Sequence, residues 1–333
     1  MAAKTKTKGV VVSGMRPTGS LHLGHLNGAI HNWLELQQGF ESFFFVADWH
    51  ALTTEYKDPS GIKASTVAMV LDWLAAGLDP DKATIFNQSS VKQHAELHLL
   101  LAMIIPVPWL ERVPTYKEQQ QQLENRDLST YGFLGYPLLQ AADILVYGGD
   151  RVPVGEDQLS HVELTREVAR RFNRYYGEVF PEPKGLVVKA ARVPGTDGRK
   201  MSKSYGNSVG LADSEEDITA RLSRMKTDTR RQRRTDPGVP EECPVYELHE
   251  IYSSEEERKE VSEGCRSASI GCLDCKKIMI GHVLEQLRPI RERREKLATS
   301  SGLADEVLAA GNERARQKAE STMTRVRAVM GLA

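Results

Sequence analysis

Two short polar stretches carry residue types suited to handling a polyphosphate. The first, "TGSLHLGH" at 18–25, sets His22 and His25 around Gly24, directly after the apolar run "GVVVSG" at 9–14. A strand handing over to a helix at such a point presents helix N-terminal N–H groups and the positive end of the helix dipole, and both favour an anion. Gly24 would let a ligand lie against the backbone. The imidazoles can donate hydrogen bonds to phosphoryl oxygens, more strongly if protonated. An H-x-G-H stretch alone is a weak signal, because histidines often simply cap or fill. The second stretch, "KMSKS" at 200–204, places Lys200 and Lys203 three apart in a polar loop with Ser202 and Ser204. Hydrated point charges suit a polyphosphate better than a core. An isolated K-x-x-K is ordinarily a surface loop, but the two stretches together are far more specific.

A third cluster is chemically different. The only four cysteines, Cys243, Cys265, Cys272 and Cys275, read C-x21-C-x6-C-x2-C. The C-x2-C pair is a chelating knuckle, and all four thiolates could serve zinc or an iron–sulfur cluster. Spacing alone leaves both open, together with four unlinked buried thiols. Between Arg221 and Arg234 lie six arginines and Lys226 against the single Asp228. Such a run is either a solvated face or a patch for a nucleic-acid backbone.

The elements that must position these groups follow from periodicity. Short, nearly all-apolar strands are expected at 9–14, 43–48 and 83–90, and further strands at 151–156 and 185–195. Helical spacing is expected at 24–38, 62–78, 136–147 and 158–176. Alternation of such strands with helices argues for an α/β fold, a Rossmann-like parallel sheet covered on both faces. Ligands then bind beyond the carboxyl ends of the strands. The proline-rich and polar stretch 104–130 reads as an insertion. Beyond about 210 the chain turns helical and charged, with helices expected at 214–225, 276–297 and 303–330. In the last, Val307, Leu308, Ala315, Ala319, Met323, Val326 and Met330 form an apolar stripe that reads as core. The expected division is a catalytic domain at 1–212 and an all-helical domain at 213–333.

The 333 residues allow about two domains. Net charge is −1, so bulk charge does not advertise a nucleic-acid partner. No apolar run is long enough for a bilayer, and the basic start "MAAKTKTKG" lacks an apolar stretch behind it. A cytoplasmic protein with no membrane partner is expected.

"HLGH" and "KMSKS" together resemble the two signature motifs of class I aminoacyl-tRNA synthetases. The likeness extends along nearly the whole chain. "SGMRPTGSLHLGH", "VADWHALTT", "YPLLQAADILVY", "VPVGEDQLSHVELTREVARRFN" and "GRKMSKS" look like the bacterial tryptophanyl-tRNA synthetases. The resemblance implies an anticodon-binding role for the helical part. It also implies ATP-dependent joining of tryptophan to tRNA(Trp) through an aminoacyl adenylate, with Mg²⁺, in a homodimer. His22, His25, Lys200, Ser202 and Lys203 would then be the catalytic set. Around ATP the resemblance places Arg16, Pro17, Thr18, Gly24, Gly155, Glu156, Asp157, Val193, Met201 and Ser204, with Lys117 of the insertion reaching the triphosphate.

For the amino acid the resemblance implies Val12, His50, Tyr136, Gln140, Asp143 and Gln158. An indole N–H is a donor only, so one acceptor, Asp143, suffices. Val12 stands where tyrosyl relatives carry the tyrosine that meets the phenol. Gln140 is tyrosyl-like, which leaves a tyrosine-specific enzyme open. An H-x-G-H loop also fits a small-molecule nucleotidyltransferase, and a non-catalytic nucleotide- or RNA-binding paralogue would keep the same fold. A subset of tryptophanyl enzymes carries nearly the same cysteine spacing and binds a [4Fe–4S] cluster, which the resemblance favours over Zn²⁺ here.

Overall fold

The computed structural model describes residues 9–114, 128–155, 158–187 and 192–332, with the side chain of Ser204 also outside the description. Glu156, Asp157 and Lys117 therefore lie outside the described residues.

Among the described residues, five parallel strands form one sheet in the order β3-β2-β1-β4-β5. They are β1 (Val10–Met15), β2 (Glu41–Val46), β3 (Ala83–Asn87), β4 (Arg151–Val154) and β5 (Lys184–Val187). The order reverses between β2 and β4 on either side of β1, which places a crevice at the end of β1. Successive residues of β2 alternate faces. Phe44 and Val46 enter a core with Leu23, Ile30, Trp33 and Trp73, while Phe43 and Phe45 enter one with Phe86, Leu138 and Phe172. Trp33 stacks on Phe44 with ring centroids 4.6 Å apart.

The helical segment after β1 begins as α1 (Leu23–His25), widens into a π-turn at Leu26–Ile30 and continues as α2 (His31–Leu36). Then follow α3 (Asp48–Glu55), α4 (Ile62–Ala76), α5 (Gln93–Ala102), α6 (Val107–Glu111), α7 (Tyr131–Leu145) and α8 (Leu159–Tyr176). Gly77 ends α4 in the left-handed region, φ 115°, as glycine does best. Helix α6 falls within the 104–130 stretch. The expected third strand stops at Asn87, and Gln88–Ser90 turns as a 3-10 helix. Among the described residues the last strand is Lys184–Val187, and Pro194 bridges Lys200 across the second signature loop.

The remainder is helical: α9 (Glu215–Ser223), α10 (Pro244–Tyr252), α11 (Glu255–Arg266), α12 (Cys272–Ala298) and α13 (Leu303–Met330). Helix α12 starts at Cys272 rather than at the expected 276, which puts Cys272 and Cys275 on its first turn. Helix α13 returns to the sheet and covers its β3 edge. Gly311 sits so close to β3 that a Cβ there would stand 1.7 Å from the Ile85 carbonyl oxygen. Beside it, Asn312 accepts the Asn87 N–H at 2.9 Å. An edge covered this way cannot template pairing with another chain. Leu308, Ala315, Ala319, Met323 and Val326 of the stripe are buried, and Val307 and Met330 pack against the cores. Among the described residues, no helix is long and apolar enough to cross a membrane.

Candidate active site

A cavity of about 210 Å³ opens beyond the carboxyl ends of β1 and β2. Gly14, Phe45 and Ala47 line its base, Arg16 its mouth, and His50, Thr53, Tyr136, Gln140, Asp143, Gln158 and His161 its walls. Helices α3, α7 and α8 deliver these side chains, so five residues expected around the amino acid do meet: His50, Tyr136, Gln140, Asp143 and Gln158.

Asp143 is 1% exposed and holds a dense set of donors. Its two oxygens accept from Gln88 Nε2 at 2.8 and 2.9 Å, from His94 Nδ1 at 2.6 Å and from His50 Nε2 at 2.8 Å. His94 in turn meets the Tyr147 hydroxyl at 2.7 Å through Nε2. Because an ionised carboxylate only accepts, His94 presents an N–H to it from Nδ1. Burial would push the Asp143 carboxyl up, but the hydrogen bonds from His50 and His94 hold it well below the usual carboxylate range. The result is an acceptor held ionised at neutral pH in an aromatic-walled cavity. Gln88 and His94 belong to none of the sequence motifs, and Tyr147, the last residue of "YPLLQAADILVY", carries no expected role there. Gln88 also accepts the N–H groups of Trp49 and His50, at 3.1 and 3.3 Å, and so joins the start of α3 to Asp143.

The two signature loops lie side by side. Leu23 donates its N–H to the Val209 carbonyl at 3.1 Å, and Leu211 donates to the Leu21 carbonyl at 2.9 Å. Lys203 reaches across and donates to the Thr18 carbonyl at 2.9 Å. Met201 is buried against this junction, its N–H on the Val193 carbonyl at 3.0 Å, while Lys200 is exposed. Pro17 is buried, and Arg16 and Thr18 are exposed.

Asn207, just past the second motif, anchors the "KMSKS" loop. Its Oδ1 accepts the Ser202 N–H at 2.8 Å, and its Nδ2 donates to Asp197 at 2.7 Å and to the Lys200 carbonyl at 3.2 Å. A Cβ at Gly195 would strike the Asn207 amide at 2.2 Å, so the loop closes only over glycine.

The histidines take the neutral form of the two that the sequence allows. His22 Nδ1 accepts the Gly24 N–H at 3.1 Å, and His25 Nδ1 accepts the His22 N–H at 3.2 Å. Burial, then the Lys203 charge, lowers His22 to about 4. Burial, then His22 and Lys203, lowers His25 to about 3. Both are neutral imidazoles that carry their proton on Nε2, so each offers a neutral N–H donor and not an imidazolium. At Gly24 a Cβ would stand 2.9 Å from the His22 ring, so the glycine makes room for that imidazole.

The chain matches the family "tRNA synthetases class I (W and Y)" over residues 4–285. It is 55% identical to the tryptophan--tRNA ligase of Thermotoga maritima over 324 residues, 97% of this chain and 99% of that protein. The tryptophan--tRNA ligase of Ralstonia nicotianae is 45% identical, again covering 97% of this chain and 98% of the relative. The chain belongs to the tryptophan--tRNA ligases.

Among solved structures of this family, the Campylobacter jejuni tryptophanyl-tRNA synthetase complexed with ADP and tryptophan superposes with a TM-score of 0.86. It is 32% identical and covers 97% of this chain and 100% of that chain. The Archaeoglobus fulgidus tyrosyl-tRNA synthetase, at 23% identity and TM-score 0.67, shares the fold.

Against this family background one expected pocket residue is misplaced. Val12 does not line the cavity. It is wholly buried, two residues deeper in β1, and a Cβ at Gly149 would stand 2.8 Å from its side chain. The cavity base is instead Gly14, where a Cβ would strike the Phe45 ring at 2.5 Å. The ring of Phe45 occupies the space that a side chain on β1 would need.

The cysteines lie on three neighbouring elements: Cys243 caps α10, Cys265 closes α11, and Cys272 and Cys275 start α12. All are free thiols. Burial, then the charges of the other three, pushes the Cys275 thiol up to about 12. Arg231 donates to Cys265 Sγ at 3.8 Å, and His249 Nε2 stands 3.4 Å from Cys275 Sγ. Among the described residues, no group of three or more His, Cys, Asp or Glu is arranged to hold a metal ion. In the basic run, Arg230 pairs with Asp228 and Glu242, and Arg231 turns inward to Cys265 and the Ile270 carbonyl. Arg224, Lys226, Arg233 and Arg234 remain exposed.

Proposed function

We propose that this site carries out both half-reactions of tryptophan--tRNA ligation. A carboxylate oxygen of tryptophan attacks the α-phosphorus of ATP, the bond to the bridging oxygen breaks, and pyrophosphate leaves. The terminal hydroxyl of tRNA(Trp) then attacks the acyl carbonyl and AMP leaves. No protein nucleophile is required. Catalysis is positioning and stabilisation of charge that grows on the phosphates.

The fixed Asp143 carboxylate carries the amino-acid half of this reading: a buried acceptor suits the donor-only indole N–H. His50 is the donor on Asp143 nearest the cavity, and the indole N–H would share or take its place. Tyr136 and Gln158 would receive the α-amino group, with Gln140 beside them. The nucleotide half rests on the paired loops. The Nε2–H groups of His22 and His25 and the Lys203 ammonium, which already reaches the first loop, would meet the triphosphate there, with Lys200 and Ser202 joining from the second loop. We assign Arg16, Pro17, Thr18, Gly155, Val193 and Met201 to the same nucleotide, with Glu156, Asp157 and Ser204 assigned by sequence position. Mg²⁺ would arrive on the triphosphate, whose oxygens and water are its usual partners. Charging of tRNA(Trp) with labelled tryptophan, and not with tyrosine, tests the reading.

The helical part at 213–333 we assign to the tRNA, through Arg224, Lys226, Arg233 and Arg234. We further propose that the four cysteines hold a [4Fe–4S] cluster. The thiols lie within electrostatic reach of one another, and their spacing resembles that of the cluster-binding subset. Anaerobically purified protein should contain iron and absorb visible light; colourless protein with stoichiometric zinc would contradict this. A homodimer is proposed through the apolar face of α5, α6 and α7, where Leu99, Met103, Val107 and Tyr131 are 56, 69, 52 and 66% exposed. Light scattering should give twice the chain mass.

A further inference from the structure

Behind the paired loops lies a buried charge that the reaction as described does not use. Asp72, on α4, is 2% exposed. Its carboxylate faces the backbone N–H of Leu21, in the first signature loop, and pairs with the guanidinium of Arg294 near the end of α12. Arg293, the preceding residue, donates to the Ala75 carbonyl of the same α4 at 2.6 Å. Two adjacent arginines of the helical part thus grip the helix beneath the nucleotide loop. Lys203 lies within electrostatic reach of Asp72, and its Nζ stands 3.4 Å from where a Cβ on Gly19 would be. Asp72 is therefore the negative charge around which Leu21, Lys203 and Arg294 are arranged.

Stability does not account for this arrangement. A buried ion pair contributes little net stability over apolar side chains of the same volume. Its geometric effect is larger. The Leu21 N–H immediately precedes His22, whose own N–H fixes His25. A shift at Leu21 would move both imidazoles, and misplacement by about 1 Å can reduce a rate about a hundredfold.

We propose that Asp72 and Arg294 are positioning residues for adenylate formation, holding the Leu21–His25 loop and Lys203 in register for the triphosphate and tying that register to helix α12. This rests on the adenylation chemistry proposed above. Helix α12 has 27 residues, which span about 40 Å, and its first turn carries Cys272 and Cys275. One continuous element thus runs from the cysteine cluster to α4, the helix that carries Asp72.

The test is tryptophan-dependent ATP–pyrophosphate exchange with Asp72→Asn, Arg294→Met and Arg294→Lys in the full chain. Asp72→Asn and Arg294→Met should each lower kcat about tenfold or more and raise the ATP KM, with the tryptophan KM within about twofold. Arg294→Lys should recover part of the loss. Folded variants with kcat and ATP KM near wild type would overturn the inference, as would a loss shared equally by the tryptophan KM. If Asp72→Asn does not fold, Arg294→Met decides, because that side chain is part-exposed at the surface. Absence of exchange in the wild-type chain would instead refute the adenylation reading.

Discussion

Replacing Asp143 by Asn probes the substrate pocket at its most constrained point. The change removes one charge and converts one oxygen into an NH₂ group with almost no change of shape. Three donors now face a side chain with a single acceptor atom: Gln88 Nε2, His94 Nδ1 and His50 Nε2. His50 can switch tautomer. Gln88 cannot flip without giving up the N–H groups of Trp49 and His50. His94 cannot switch without disturbing Tyr147. One or two charge-assisted hydrogen bonds are lost, at about 1.5–3 kcal/mol each, so stability should fall by about 2–5 kcal/mol. The indole N–H would meet an NH₂ group, and kcat/KM for tryptophan should fall about a thousandfold, equivalent to about 4 kcal/mol. The pH dependence has a definite sign. The native carboxyl is held below its unfolded value near 3.9, so its contribution is complete above about pH 4 and is lost as pH falls below that. The stability gap between wild type and variant should therefore narrow in acid. Urea midpoints against pH and exchange kinetics measure both. A variant with unchanged midpoint and kcat/KM within about threefold of wild type would refute the clamp.

Lys203→Ala should lower exchange kcat by about 10²–10³-fold with little change in tryptophan KM; an unaffected kcat would remove Lys203 from the chemistry. Burial lowers Lys203 to about 8, and phosphate charge should raise it again. ATP binding should then take up protons near pH 8, seen by calorimetry in buffers of different ionisation heat, and no uptake would contradict it. His22 and His25 sit below the unfolded histidine value, so the free protein should lose stability as pH falls from about 6.5 towards 4. A denaturant midpoint flat over that range would show otherwise. Gly311→Ala gains helix propensity of about 1 kcal/mol. It nevertheless drives a methyl group into the Ile85 carbonyl, so a net loss of about 2 kcal/mol or more is expected. A stabilised variant would mean that α13 does not seat on β3.

Much of the fold is legible in the sequence because parallel strands buried on both faces read as unbroken apolar runs. The signature loops are legible because glycines, lysines and histidines stand at strand ends where a core would not take them. The clamp is not. Gln88 and His94 lie 55 and 49 residues from Asp143, and only the packing of the turn after β3 and of α5 against α7 joins them. A signal is present: two polar side chains in "NQSSVKQHAEL", just past the end of a strand, where ligands bind. Val12 is misplaced by sequence position alone, because register along β1 cannot show that Phe45 closes the space over Gly14. Helix α11 looks like a charge run, yet Ser254 and Glu257 form a capping box that announces it. The neutral state of His22 and His25 depends on burial and on Lys203, which no spacing reveals.

The most direct measurement is ATP–pyrophosphate exchange by the full chain without tRNA, with tryptophan and with tyrosine. The ionised Asp143 acceptor and the paired loops predict exchange that requires tryptophan and Mg²⁺ and is negligible with tyrosine. Exchange with tyrosine in preference to tryptophan, or none with either, would contradict the roles given to Asp143 and the two loops.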